Sequence, residues 1–144
     1  MRILIPESTE DFARYYDLRW RILREPWRQP RGSERDELEY SSWHRMACES
    51  DRIPIGVARL HLNTPEQAQI RYMAVEKTHR RLGIGTALVE SLEAQAGLIG
   101  AREILLNARG DTLGFYEHLG YEVTGPSHTL FGSIHHYVLL KQLD

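Results

Sequence analysis

Met73-Ala74-Val75-Glu76-Lys77-Thr78-His79-Arg80-Arg81-Leu82-Gly83-Ile84-Gly85-Thr86 is the stretch on which the reading of this chain turns. An apolar strand pattern ends at Val75 and a polar turn follows. Two glycines then open the longest helical pattern, in which Ile84, Leu88, Leu92, Gln95 and Ile99 keep one face until Gly97 and Gly100 close it. The first amides of such a helix have no intrahelical acceptor and sit at its positive end, and a glycine leaves the backbone open to close approach. The segment therefore reads as an anion cradle between a strand and a helix. A dinucleotide loop would need its third glycine at Leu88, and no Gly-Lys-Ser/Thr occurs, so neither a Rossmann site nor an NTPase loop fits.

Upstream, residues 1–5 read as a strand stopped by Pro6, and Ser8 with Asp11 three residues on marks a helix start. Phe12, Tyr16, Trp20 and Leu23 continue that helix until Pro26 and Pro30 break it; a short second helix is expected over 36–42. Strands are expected at 43–49 and 55–62 around the turn Ser50-Asp51-Arg52, and at 69–75 after Asn63-Thr64-Pro65-Glu66. Downstream, a strand over 103–107 leads to a helix carrying Phe115 and Leu119, with Asp111 as its N-cap and Gly120 as its left-handed C-cap. Strands at 121–124 and 134–141 finish the chain. The pattern is a mixed α/β (α+β) fold in a single domain, 1–144. It is a central, mostly antiparallel mixed sheet flanked by helices, in the order β-α-(α)-β-β-β-α-β-α-β-β.

The composition narrows the partners. With 144 residues, 42% hydrophobic and 26% charged, the chain has the size and balance of one globular domain. Its net charge of −2 disfavours nucleic acid, although sixteen of the eighteen basic residues are arginine. Cys48 is the single cysteine, so neither a disulfide framework nor a cysteine metal cluster is expected. No apolar run approaches ~18 residues and the start is too short for a signal peptide, so a cytoplasmic protein without membrane contact is the expectation.

Two ordered motifs resemble the GNAT superfamily of N-acetyltransferases. Arg80-Arg81-Leu82-Gly83-Ile84-Gly85 matches its pyrophosphate-loop pattern Gln/Arg-x-x-Gly-x-Gly/Ala. Gly114-Phe115-Tyr116-Glu117-His118-Leu119-Gly120-Tyr121 is similar to its Phe-Tyr-Glu-x-x-Gly-Phe signature, with Tyr121 in place of the last phenylalanine. The resemblance implies acetyl-CoA as cosubstrate. It implies that the main chain of Met73, Ala74 and Val75 meets the pantetheine arm, and that Arg81, Leu82, Gly83, Ile84, Gly85 and Thr86 hold the pyrophosphate beside Arg80. Tyr116 takes the place of the acid that protonates the departing thiolate. Arg109 stands where many members have an asparagine that contacts the cofactor, with Asn107 two residues earlier.

The proton acceptor for the attacking amine is sought among His135, His136, His61, His44, Glu37 and Glu39. Neighbouring residues on a strand face opposite ways, so His135 and His136 cannot both enter the cleft. Gly132-Ser133-Ile134-His135-His136 is similar to a Gly-x-Pro-His stretch of one branch of the family, which favours His135. No helical histidine pair or carboxylate cluster suggests a metal. Trp20, Trp27 and Trp43 precede the cradle, where the resemblance puts the acceptor pocket. The acidic stretch 34–39 is either a solvated face or an attractor for a cationic amine.

The expected activity is acetyl transfer to a small-molecule or peptide amine. The alternatives are a non-catalytic acyl-CoA-binding or regulatory module and an interaction domain without a cofactor; a homodimer is left open.

Overall fold

The structure is a computed structural model and describes residues 1–144. Its seven strands are β1 (Arg2–Leu4), β2 (Trp43–Cys48), β3 (Pro54–Leu62), β4 (Gln67–Val75), β5 (Glu103–Arg109), β6 (Glu122–Leu130) and β7 (Ile134–Gln142). They form one sheet in the order β1-β2-β3-β4-β5-β7-β6. Every neighbouring pair is antiparallel except β4 and β5, which are joined through α2 (Ile84–Leu98) and run parallel. The other two helices are α1 (Thr9–Leu23) and α3 (Leu113–His118). The expected mixed-sheet architecture is the one observed.

Local chemistry sets the helix ends. The Ser8 hydroxyl accepts from the Asp11 amide at 3.0 Å, and the Asp11 carboxylate accepts from the amides of Glu7 and Ser8, so the first turn of α1 is capped from both directions. Gly100 (φ +88°) and Gly120 (φ +97°) take the left-handed conformation that glycine tolerates after a helix. Two expectations fail. Instead of a helix over 36–42 there is only a 3₁₀ turn, Glu39–Ser41, because Asp36 and Glu39 turn inward to bind arginines. Asp111 does not cap α3: it lies in the 3₁₀ turn Gly110–Thr112, with its carboxylate 3.4 Å from the Arg109 Nε, and α3 begins without a side-chain cap.

The sheet buries both faces. On one, Leu88, Val89 and Leu92 of α2 and Tyr116 of α3 pack with Ala58, Leu60, Ile70, Leu106 and Leu139. On the other, Tyr15 and Leu18 of α1 pack with Met46, Val57 and Ala74. At the far edge, β6 pairs only with β7, carries Pro126, and slips register twice, between Val123 and Gly125 and between Pro126 and Thr129.

Two features of β4 position everything functional. It pairs with β5 only through Gln67↔Glu103, Ala68↔Ile104 and Gln69↔Leu105; past these three the strands part, while β5 continues along β7 as far as Arg109↔His136. On its other side β4 contains a bulge. Val57 faces Ala74 but Arg59 faces Arg71, so three steps of β4 oppose two of β3, and Tyr72 absorbs the extra residue at φ +60°. Ala68, Ile70, Met73 and Val75 consequently pack toward α2, while Arg71 and Tyr72 both face α1.

The bulge is held by an ion-pair network under α1. Arg19 and Arg59, whose side chains are fully buried, flank the Glu39 carboxylate at 3.0 and 2.7 Å. Arg59 also grips Asp36 with both terminal nitrogens (2.6 and 3.0 Å), and Arg71 reaches the same carboxylate at 3.0 Å. The Nε atoms of Arg19 and Arg59 have no acceptor, but their guanidinium groups lie 4.4 and 4.9 Å from the centre of the Tyr72 ring, which offsets part of their desolvation. Burial tends to raise the Asp36 pKa, but the Arg59 bonds and the Leu38 amide outweigh it and hold the carboxyl at about 2.

A carboxyl whose pKa is depressed on folding stabilises the fold above its unfolded value of 3.8, and that contribution is lost as pH falls toward about 2. Asp36→Asn should cost about 3 kcal/mol near neutrality, since it strips a buried guanidinium of one partner. In urea titrations the gap between wild type and variant should narrow from about pH 4 down to about pH 2. A pH-independent gap would mean that Asp36 contributes shape and not charge.

Candidate active site

Beyond Gln69 and Leu105, the edge of β4 facing β5 has no strand partner. Residues 73–75 thus offer backbone donors and acceptors to an extended ligand inserted between the strands, as a further strand would use them. The free edge runs through Glu76 and a 3₁₀ turn, Lys77–His79, into the glycine loop.

In that loop Arg81 (φ +66°) and Gly83 (φ +81°) are both left-handed, so the chain doubles back before α2. Gly83 occupies the N-cap position without a side-chain bond, and the first helical bond runs from the Ala87 amide to the Gly83 carbonyl. The amides of Ile84, Gly85 and Thr86 have no acceptor within the chain. A Cβ at Gly83 would meet nothing within 4 Å, so the mouth of the cradle is open, and Arg80, Arg81 and Leu82 around it are exposed. Gly85 is needed for packing instead. A Cβ there would lie 3.1 Å from the Phe115 ring, so its bare backbone lets α3 close against the first turn of α2. This orphaned, glycine-opened set of amides fits a pyrophosphate.

Tyr116 follows Phe115 on α3 and is buried edge-on between Phe115 (4.9 Å) and Tyr121 (6.0 Å). Burial pushes its hydroxyl well above the ordinary tyrosine range, against a smaller opposing pull from Arg109, and no group of the chain hydrogen-bonds it. It is a neutral, unengaged donor at neutral pH. The Asn107 Oδ1 accepts from the Ser127 hydroxyl at 2.7 Å, on the face away from Tyr116's cluster.

The α1 face of the parting strands is lined differently. Arg24, at the end of α1, lies 5.7 Å from the Tyr72 ring centre and 5.6 Å from that of Phe131 in the β6–β7 turn. Phe131 in turn meets Trp27 at 6.3 Å. His136 shares this face. Its ring stacks on His128 at 4.5 Å, its Nδ1 lies 2.9 Å from the Ile134 carbonyl, and burial, with repulsion from His128, Arg109 and Arg24, lowers its pKa below the ordinary histidine value.

His135, the expected base, turns to the opposite face with Tyr137 and Leu139, where it is exposed and bonded to the Thr129 hydroxyl at 3.2 Å. The structure therefore puts His136, and not His135, on the face that Arg24 occupies; strand alternation allows only one of them there. The remaining candidates are held in structural bonds or lie outside. His44 bonds Tyr15 and the Glu39 carbonyl, His61 lies between Arg59 and Asn63, Glu39 is paired with two arginines, and Glu37 is exposed. Trp20 bonds the Gln29 carbonyl and Trp43 packs on the core, which leaves Trp27 as the tryptophan of the site.

Arg24, Tyr72 and Phe131 do not stand out in the sequence. The one trace is in β4, where the core-facing apolar positions step 68, 70, 73, 75 and so betray the extra residue at the bulge.

The site is thus a mixed sheet that parts beside a glycine-opened helix start, with a buried tyrosine next to it. The family model described as Acetyltransferase (GNAT) family matches residues 12–121, and the chain belongs to that family. Among curated proteins it is 27% identical to the uncharacterized N-acetyltransferase YjcF of Bacillus subtilis, over 98% of this chain and 99% of that one. Among solved structures it superposes on an aminoglycoside 6'-N-acetyltransferase complexed with coenzyme A (TM-score 0.79, 18% identity, 99% and 97% of the two chains). It also superposes on a GNAT family acetyltransferase from Elizabethkingia anophelis with acetyl-CoA bound (TM-score 0.77, 18% identity, 99% and 97%). No helix is long and apolar enough to cross a membrane.

Proposed function

We propose that this protein is an acetyl-CoA-dependent N-acetyltransferase in which a neutral amine attacks the thioester directly. The observation that carries the reading is the free edge of β4 running into the uncapped first turn of α2: a strand-like polar seam that ends in an anion cradle. Acetyl-CoA, when bound, supplies the acyl thioester. The seam at Met73, Ala74 and Val75 binds the amide-bearing arm, and its N–H groups are the donors for the developing oxyanion. The loop from Arg80 to Thr86 binds the pyrophosphate through the free amides of Ile84, Gly85 and Thr86, with Arg109 as a further cation near the site.

Two protons must move. The amine loses one, and the departing thiolate gains one. Tyr116, neutral and unbonded, is the donor. On the α1 face His136 is the proton acceptor, directly or through water, because its lowered pKa leaves the imidazole neutral at pH 7. The acceptor amine enters from that face, between Trp27, Phe131 and Tyr72.

Gly83→Asp places a carboxylate at the cradle; the left-handed backbone there costs some strain, which aspartate bears better than most residues, and its Cβ meets open space, so the fold should persist at some cost in stability. CoA affinity, measured by calorimetry, should fall about 100-fold. Undiminished affinity would remove the pyrophosphate from this loop.

Tyr116→Phe keeps the ring and its packing. It should lower kcat by about 10² to 10⁴ with CoA affinity unchanged, and an unaltered rate would give the proton transfer to water and reduce Tyr116 to packing.

In the pH profile of kcat/KM, the rate should rise through an inflection below pH 6.5 as His136 loses its proton. His136→Gln should abolish that inflection and His135→Gln should leave it, with an acceptor whose own pKa lies well away. The reverse result would return the base to His135.

A further inference from the structure

The α1 face of the site holds more positive charge than its own carboxylates neutralise. Four guanidinium groups surround the Tyr72 ring: Arg19 and Arg71 at 4.4 Å, Arg59 at 4.9 Å and Arg24 at 5.7 Å. Two carboxylates serve them, Asp36 and Glu39, and both are taken up by Arg19, Arg59 and Arg71. Asp36 and Glu39 of the acidic stretch 34–39 are thus not available to attract a cationic amine, Glu37 is exposed, and the buried Glu34 carboxylate accepts from the Gly32 amide.

Arg24 is the one left without an acid. It is half-buried, its Nε donates to the Ser33 carbonyl and its Nη1 to the Leu23 carbonyl, both at 3.1 Å, and it makes no ion pair. Two of five N–H donors are spent on backbone, which leaves the outer end of the planar fork for another partner. The guanidinium lies 5.7 Å from the Tyr72 ring centre and 5.6 Å from that of Phe131, on the face that His136 shares and close enough to His136 to disfavour its protonation. Burial works most strongly against its positive form and the neighbouring charges of Arg71 and Arg19 add to this, while the Tyr72 hydroxyl beside it offsets part of the cost. A half-buried cation held next to other cations gains from an added anion that offsets their mutual repulsion.

We propose that the acceptor is an amine that also bears a carboxylate, and that Arg24 receives this carboxylate with Arg71 as the second cation. The exposed faces of Trp27 and Phe131 then pack along the hydrocarbon between the two groups. The inference deepens the acetyltransferase reading and rests on it for the amine, but the anion site stands on its own geometry. A polycation meets a surplus of like charge here, whereas an amino acid or a peptide carrying its own acid completes the network.

The test has two arms at one ionic strength. In the first, N-acetyl-L-amino acids, which are product-like and unreactive, are titrated by calorimetry or NMR beside the matching N-acetyl amino-acid amides. The acids that bind best should exceed their amides by about 10- to 100-fold, and Arg24→Gln should erase the difference while leaving CoA affinity unchanged. In the second, CoA release is followed with free amino acids, their amides, and spermidine. The acids should have the highest kcat/KM, and in Arg24→Gln the loss should fall on KM.

Amides bound and turned over as well as acids, or a preference for acids that survives in Arg24→Gln, would overturn the proposal. If Arg24→Gln does not fold, the wild-type comparison of acid with amide decides alone. Failure of CoA to bind in the same preparation would sink the acetyltransferase reading, and the first arm would still decide whether the pocket takes a carboxylate.

Discussion

Two strands that are joined by a helix and run parallel would ordinarily stay paired along their length, burying their backbone groups in a ladder. Here β4 and β5 keep the ladder for three residue pairs and then part. The partition holds because each strand has another commitment. β5 follows β7 to Arg109, and β4 is bent by the bulge at Tyr72 and tied through Arg71 to Asp36. The polar backbone exposed in the gap has lost its strand partner, so a ligand with its own amides is the natural replacement. The glycine loop, the buried Tyr116 and the arginine-lined α1 face all take their places around that opening.

The buried network is the counterpart of the gap. Fully buried guanidinium groups cost several kcal/mol each to desolvate, and apolar residues of equal volume would often serve stability better. What the network supplies is direction. Asp36 and Glu39 lie in the long connection between α1 and β2, and their bonds to Arg19, Arg59 and Arg71 fix that connection over the bulge. The same bonds set Arg24, at the end of α1, beside the Tyr72 ring. One set of charges thus fixes both the long connection and the place of Arg24 on the α1 face.

Much of the architecture is legible in the sequence because it depends on short-range rules. Ser8 and Asp11 mark α1, Gly100 and Gly120 mark helix ends, and the turns Ser50-Asp51-Arg52 and Asn63-Thr64-Pro65-Glu66 mark off β3 and β4. The expectations that fail do so where distant charges override local preference. Residues 36–42 have the polarity of a solvated helix, but two of their carboxylates are needed under α1. Asp111 has the look of an N-cap, yet a 3₁₀ turn intervenes and its carboxylate faces Arg109. At the candidate site the loop from Arg80 to Thr86 is contiguous and so can be read as a motif. The α1 face of the site is lined by Arg24, Tyr72, Phe131 and His136, which are scattered over more than a hundred residues and come to one face only once the sheet has formed. His135 against His136 is a choice of strand parity, and parity depends on a register no single sequence fixes.

The outermost strand has its own significance for life in a crowded solution. β6 is nine residues long and pairs on one side only, which would make its free edge a template for other chains. Pro126 removes one donor from the strand, and the two slips of register bend it away from the flat geometry that cross-β stacking requires. The irregular strand is therefore a safeguard against aggregation. A sequence that straightened it, by replacing Pro126 and restoring even register, would exchange that protection for a few additional sheet hydrogen bonds.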